Sequence, residues 1–230
     1  MSVHSQTYVS SVEAAYIADV TDRDVHRAID EQIVPDGFIQ LSNGRRLSRL
    51  AAAFIAFYYK TETMFTASMR KRVLNTIADQ VTNSGNLIVT EHELRTLLNR
   101  AETKSVLHFS TEEAESAVSV DFSKYISVVF KRSEEVERAL LAISSSEDVM
   151  GGLPVFRGTR VPVDSILASI ENGVELSRIK DSYPFLSDEL IKYAKIYSRV
   201  RPRRGRPRRL DEVNPGWKVK TEKIVRAASK

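Results

Sequence analysis

The chain has no cysteine, one tryptophan and only four histidines in 230 residues. Without thiols there are no disulfides, no thiolate metal sites and no thiol nucleophile, which agrees with a reducing compartment. His4, His26, His92 and His108 are scattered, and none stands in the paired order of the zinc peptidases. No serine sits in a Gly-x-Ser-x-Gly elbow. The run of about 18 apolar residues that a membrane helix requires is also missing. The opening stretch MSVHSQTYVSSVEAA lacks the basic region and apolar core of a signal peptide, so a cytoplasmic protein with no membrane part is expected. Glu91 with Glu93, and Glu112 with Glu113 and Glu115, fall in expected first turns of helices, where the positive helix end explains them better than acid/base catalysis. The expectation is a binding protein: no enzyme, no catalytic residue, no metal and no cofactor.

What is present is a core and an uneven charge. Hydrophobic residues make up 42% of the chain, enough for folded domains. The net charge is +4, yet residues 201–230 hold eleven basic residues against three acids, a net +8, which leaves the first 200 residues at −4. A mildly acidic body with a cationic arm implies that the arm meets an anionic partner, nucleic acid or an acidic protein cleft.

Ser10-Ser11-Val12-Glu13 has capping-box spacing and predicts a helix start, with Ala14, Ala15 and Ile17 on its apolar side. Asp19-Val20-Thr21 breaks it, and Asp22 to Gln32 carries Val25, Ala28 and Ile29 at helical spacing. In 38-FIQLSNGRRL-47, Asn43-Gly44 separates two extended runs, a strong hairpin signal, and Leu47 to Tyr59 predicts a third helix. Two helices, a tight turn and a basic-tipped hairpin resemble the winged helix-turn-helix module of MerR-type and excisionase-type regulators. That resemblance implies DNA contact by Thr21, Arg23, His26 and Arg27 on the second helix and by Arg45 and Arg46 on the wing. Asp22, Asp24 and Asp30 lie on the same helix and would face a polyanion, which leaves a packing or dimer role open.

Residues 63–145 predict a small mixed α/β region. Met64 to Val81 is amphipathic, Leu87-Ile88-Val89 reads as a strand, and Thr90-Glu91-His92-Glu93 precedes a helix with Leu94, Leu97 and Leu98. Ser110 and Glu113 offer another helix start. Val118, Val120 and Phe122 alternate as a strand does, Ile126 to Phe130 predicts a second strand, and Glu134 to Ile143 a helix.

The stretch 151-GGLPVFRGTRVPV-163 puts three glycines and two prolines in one loop. It fails as a phosphate loop, because from Gly152 the next glycine is one residue too far and Thr159-Arg160 stands where Lys-Ser would be. Gly151, Gly152 and Gly158 then serve backbone conformation, Pro154 and Pro162 fix extended segments, and the arginines, Arg157 and Arg160, carry the polar edge. Helices are expected over Val163 to Glu171 with a stop at Asn172-Gly173, over Glu175 to Ser182, and after a Ser187 cap. This motif, with Ile166-Leu167, Gly173, Ile179 and Tyr183-Pro184 after it, closely resembles a small bacterial domain family of unknown function associated with type II antitoxins. Joined to an N-terminal winged helix and a basic tail, the chain resembles VapB-type antitoxins. The resemblance implies a homodimer that binds operator DNA and forms a hetero-oligomer with a PIN-type ribonuclease toxin.

The expected fold is mainly α with small β elements: a winged helix-turn-helix at 1–62, a mixed α/β region at 63–145, a three-helix helix-turn-helix domain at 146–200 and a flexible basic tail at 201–230. In the tail, Arg201, Arg203, Arg204, Gly205, Arg206, Pro207, Arg208 and Arg209 form an arm, and Trp217 offers an apolar anchor or packs back on the body. Arginine forks suit the carboxylates of a nuclease cleft. Arg204-Gly205-Arg206-Pro207-Arg208 equally matches the core of an AT-hook, whose arginines follow a narrow minor groove. A stand-alone transcriptional regulator with such a tail is the alternative to the antitoxin.

Overall fold

A reciprocal cap starts the first helix. Ser10 Oγ accepts from the Glu13 amide at 3.3 Å while Glu13 Oε2 accepts from the Ser10 amide at 2.7 Å, satisfying two amides left free at a helix start. Helix α1 (Ser11–Ala18) ends at Asp19, whose φ of 59° is left-handed, and Thr21 repeats the cap with Asp24 to begin α2 (Asp22–Asp30). These belong to a computed structural model that describes residues 8–41, 44–83, 105–110 and 115–202, with backbone only for 105–110 and 115–118.

Around these two helices lie three short strands, β1 (Tyr8–Ser10), β2 (Ile39–Gln40) and β3 (Arg46–Ser48), antiparallel in the order β1-β3-β2. Opposite residues share a face of a sheet, so Val9, Leu47 and Ile39 line up on one side and Ser10, Arg46 and Gln40 on the other. Val9 and Leu47 are buried, so the core face is the first of these. Of the Asn43-Gly44 turn, Asn43 lies outside the described residues, and Gly44 has φ of 90°.

Helix α3 (Arg49–Lys60) is buried from Leu50 to Tyr58, as a helix apolar on all sides must be. Phe54 meets Phe38 at 5.2 Å, and Phe57 meets Phe122 at 5.5 Å and Tyr125 at 5.4 Å. Helix α4 (Ala67–Asn83) packs beside it. The hairpin β4 (Ser105–Ser110) and β5 (Glu115–Val120) follows, in a register that pairs Ser110 with Glu115. A helix start at Ser110 is therefore corrected, because cross-strand pairing takes up that residue. The strand expected at Leu87 to Val89 and the helix expected after Thr90 lie outside the described residues.

The second correction concerns Ile126 to Phe130, which is not a strand. It belongs to α5 (Ser123–Ala142), whose buried residues Ile126, Val129, Phe130, Ser133, Val136 and Ala139 recur at helical spacing. The β-branched run favours a strand locally, and burial against α3 and α8 overrides it. The chain then forms the pair β6 (Ile143–Ser144) and β7 (Val155–Phe156) and three helices, α6 (Val163–Glu171), α7 (Leu176–Ser182) and α8 (Asp188–Val200).

The molecule is mostly helical with small antiparallel sheets. One core runs through α1 to α5 and takes in Tyr193, Ile196 and Val200 of α8. A smaller one holds Ile143, Phe156, Val163, Ile166, Ile179, Leu186 and Ala194, and Leu190 packs against both. Helix α8 is thus shared between the cores, and packing crosses residues 62 and 145. No helix among the described residues is long and apolar enough to cross a membrane.

Candidate nucleic-acid interface

Helix α2 buries Val25 and Ala28 and turns its other side to solvent. Arg23, His26, Arg27 and Asp30 fall at helical spacing on that exposed side. Arg23 and His26 make no ion pair with a described residue, whereas Arg27 Nε lies 2.6 Å from Glu31 Oε1. Both partners of that pair are largely exposed, where such pairs contribute about 0 to 1 kcal/mol and yield readily to a stronger anion.

Two of the three acidic residues that stood against a polyanion, Asp24 and Asp30, have structural partners. Asp24 is committed to the helix cap, accepting from the Thr21 amide at 3.0 Å and the Thr21 hydroxyl at 2.6 Å. Thr21 consequently serves the cap, with its hydroxyl turned to Asp24. Asp30 lies 2.9 Å from Arg45 Nη1, a contact that fastens the hairpin against the end of α2. Arg46 is half-buried on the outer face of β3, opposite Ser10. Lys71 of α4, which sequence reasoning missed, donates to the Glu31 carbonyl at 2.9 Å and so adds a cation at the C-terminal end of α2. The exposed side of α2 and the hairpin arginines therefore form one surface.

The last turn of α8 reaches the same module from behind. Arg199 lies 5.3 Å from the Tyr16 ring centroid and Arg132 lies 4.6 Å from it, while Arg132 also pairs with Asp19 at 3.3 Å. Arg132 and Lys60 hold the Asp19 carboxyl below its usual range, the Lys60 hydrogen bond being the stronger influence. Arg199 also lines a groove of about 220 Å³ with Val12, Ala15, Tyr16, Val20, Thr21 and Asp22, at the start of α2. Two residues on, Arg201 Nη2 lies 2.9 Å from Oε1 of Glu13, whose side chain is only 1% exposed. Arg201 is thus held on the body of the protein. Arg203, Arg204, Gly205, Arg206, Pro207, Arg208, Arg209 and Trp217 lie outside the described residues.

In the glycine motif the polar groups face the protein's own backbone. Gly158 takes φ of 78°, and Thr159 Oγ1 donates to the Phe156 carbonyl at 2.8 Å and accepts from the Val161 amide at 3.1 Å. Gly152, at φ of 82°, donates to the Ser146 carbonyl at 3.1 Å, and its own carbonyl accepts from Ser145 Oγ at 2.6 Å. Gly151 and Met150 share this left-handed run. Pro162 caps α6, and the Pro154 carbonyl accepts from the Val163 amide at 2.9 Å. Arg160 is exposed and makes no ion pair with a described residue. Arg157, expected on the polar edge of the loop, donates through its amide to the Ala142 carbonyl at 2.9 Å and through Nε to the Leu141 carbonyl. It ties the loop to the end of α5, where unpaired carbonyls need donors.

Comparison with known proteins adds two findings. The model of a family described as protein of unknown function (DUF433) matches residues 143–198, the glycine motif and the three helices after it. The uncharacterized protein y4eO of Sinorhizobium fredii (strain NBRC 101917 / NGR234) is 31% identical over 213 residues, which span 93% of this chain and 90% of that one. No solved structure matches. Since that likeness spans nearly the whole of both chains, the chain belongs to the family of y4eO.

Proposed function

We propose that the chain is a DNA-binding regulator of the antitoxin kind, a homodimer that holds its own operator and neutralises a PIN-type ribonuclease encoded beside it. The observation that carries the DNA half is the joining of the hairpin to α2 through Arg45 and Asp30 at 2.9 Å. It sets side by side a helix with Arg23, His26 and Arg27 on its exposed side, for the major groove, and an arginine-bearing wing for the adjoining phosphates. Under this winged-helix reading, Arg23, His26 and Arg27 face the bases, and Arg45 and Arg46 grip the backbone. The toxin half rests on the resemblance of the 151–163 motif to antitoxin-associated domains, and the C-terminal helices are the corresponding helix-turn-helix unit.

Two assays test the two halves. In the first, fluorescence anisotropy measures binding to a duplex from immediately upstream of the gene. Replacing Arg23 and Arg45 with alanine should weaken binding and lower the salt slope by about 0.9 for each phosphate no longer neutralised. Unchanged affinity sinks the interface. In the second, the chain is co-expressed with the neighbouring gene product, and complex formation and ribonuclease activity are scored. Failure to bind or silence a nuclease leaves a stand-alone regulator.

A further inference from the structure

Two of the arginines assigned to DNA already hold a carboxylate. Arg27 of α2 lies 2.6 Å from Glu31, and Arg45 of the hairpin lies 2.9 Å from Asp30, whereas Arg23 and Arg46 make no ion pair with a described residue. Asp30 is the last residue of α2 and Glu31 its C-cap.

Helix stability gives these carboxylates no purpose. The C-terminal end of a helix carries partial negative charge, so an acid there is unfavourable. The i, i+4 pair runs from Arg27 to Glu31, with the cation nearer the N-terminus, which is the weaker of the two orientations. The cation that this helix end favours comes instead from Lys71, bonded to the Glu31 carbonyl at 2.9 Å. Burial gives them no purpose either, since the four side chains of the two pairs are 43 to 63% exposed. Asp30 fastens the hairpin, but Glu31 joins two residues of one helix and fastens nothing.

The consequence lies in the charge of the surface. On α2, its C-cap and the hairpin, Arg23, Arg27, Arg45 and Arg46 are matched one for one by Asp22, Asp24, Asp30 and Glu31, so these elements have no excess of arginine with which to hold a polyanion through phosphates alone. From this arrangement we infer that Asp30 and Glu31 are specificity-determining residues of the DNA face: each occupies an arginine in the free protein, so that only a duplex which also offers base contacts to α2 binds well. A phosphate that takes Arg27 or Arg45 must first displace a carboxylate, and the electrostatic gain from that arginine shrinks accordingly. The inference rests on the DNA reading above and adds to it the restraint on that surface.

The test is binding of full-length protein to two labelled duplexes of equal length and composition, the upstream sequence and a scrambled one, read by anisotropy over a range of salt. Asp30→Asn and Glu31→Gln each remove a charge and keep the shape. Each should tighten binding to the scrambled duplex about three- to fivefold, the range for release of an exposed ion pair, and steepen its salt slope by up to about 0.9. The gain should vanish for Asp30→Asn in an Arg45→Ala background and for Glu31→Gln in an Arg27→Ala background. That dependence separates a guard on one arginine from a change in overall charge, which persists in either background. Thermal melts of every variant should lie close to that of the natural chain, because the four positions are exposed.

A gain of the same size with and without the paired arginine overturns the inference, because the acid then acts through net charge alone. Weaker binding also overturns it, because the carboxylate then holds the surface in shape for DNA instead of competing with it. If the natural chain prefers the upstream duplex and neither variant changes affinity, the inference fails and the DNA reading stands. If the natural chain binds neither duplex, or both alike, the DNA reading fails and the inference falls with it.

Discussion

Each half of the molecule contains a short hairpin with arginine next to glycine, and the two use their arginines in opposite ways. Near the N-terminus, Gly44-Arg45-Arg46 leads into β3, Arg45 pairs among the described residues with the exposed Asp30, and Arg46 has no ion pair among them. Near the C-terminus, Arg157-Gly158-Thr159-Arg160 is closed by the Phe156 amide on the Val161 carbonyl at 3.2 Å, and Arg157 is committed to the end of α5. The same residue types are free to bind a partner in one place and are part of the framework in the other. What separates them is a neighbouring acceptor: a helix end with open carbonyls claims Arg157, and nothing equivalent among the described residues claims Arg46.

The largest effects should come from the cores beneath the hairpins. Phe57 is fully buried and touches the rings of Phe65, Phe122 and Tyr125, so Phe57→Ala should cost about 3 to 5 kcal/mol of stability in a urea titration. Phe156, beneath the second hairpin, is 1% exposed and should cost about as much. Because α8 and Leu190 belong to both cores, each variant should still unfold in one transition. Two separate transitions would show that the halves are independent, and the comparison would become one between unlinked domains.

At the next level the hairpins themselves are compared. Arg157→Ala should lower stability by about 1 to 2 kcal/mol, since it removes a charged donor from the Leu141 carbonyl at the end of α5, and should leave DNA affinity alone. Arg45→Ala and Arg46→Ala should each change stability by less than about 0.5 kcal/mol and weaken DNA binding. Melts and anisotropy on the same three proteins check both statements. Equal loss of DNA affinity in Arg157→Ala would erase the distinction. Gly158→Ala should cost about 1 to 2 kcal/mol although nothing fills the space around it, because φ of 78° strains any residue with a Cβ.

Much of the framework was legible because its signals are local. The Ser10 and Glu13 cap, the break at Asp19, the stop at Gly173 and the Ser187 cap all depend on residues within four positions of one another, and all appear where the spacing places them. The cap at the start of α2, equally local, went unseen. Thr21 caps with Asp24 at the same spacing as Ser10 with Glu13, but a short aspartate hid the pattern. The α5 segment at Ile126 to Phe130 failed because burial against distant helices decided it. The Glu13 and Arg201 contact joins residues at opposite ends of the chain, and Arg132 reaches Tyr16 and Asp19 across a comparable distance. No periodicity reports contacts of that kind. The exposed side of α2 was accordingly legible in the sequence, and the ion pairs around it were not.

The smallest effect concerns how firmly α2 is seated, and it can be read through pH. The Tyr59 phenol of α3 donates to the Asp24 carbonyl at 3.0 Å, fixing the start of α2 against the core. Burial, followed by the nearby Asp24 carboxylate, pushes the Tyr59 pKa from near 10 up to about 12. Between those values the folded protein keeps a proton that the unfolded chain has lost, so the unfolded state binds fewer protons and stability falls as pH rises. The contribution is complete below about pH 10 and gone above about pH 12. Urea midpoints across this window should fall more steeply for the natural chain than for Tyr59→Phe. The second hairpin supplies the control. Arg157 binds carbonyls that do not titrate, so Arg157→Ala should shift the whole profile down without altering its alkaline slope. If Tyr59→Phe kept the full slope, the seating of α2 would not depend on that phenol, and the firm base assigned to the first hairpin's partner helix would have to come from the caps alone.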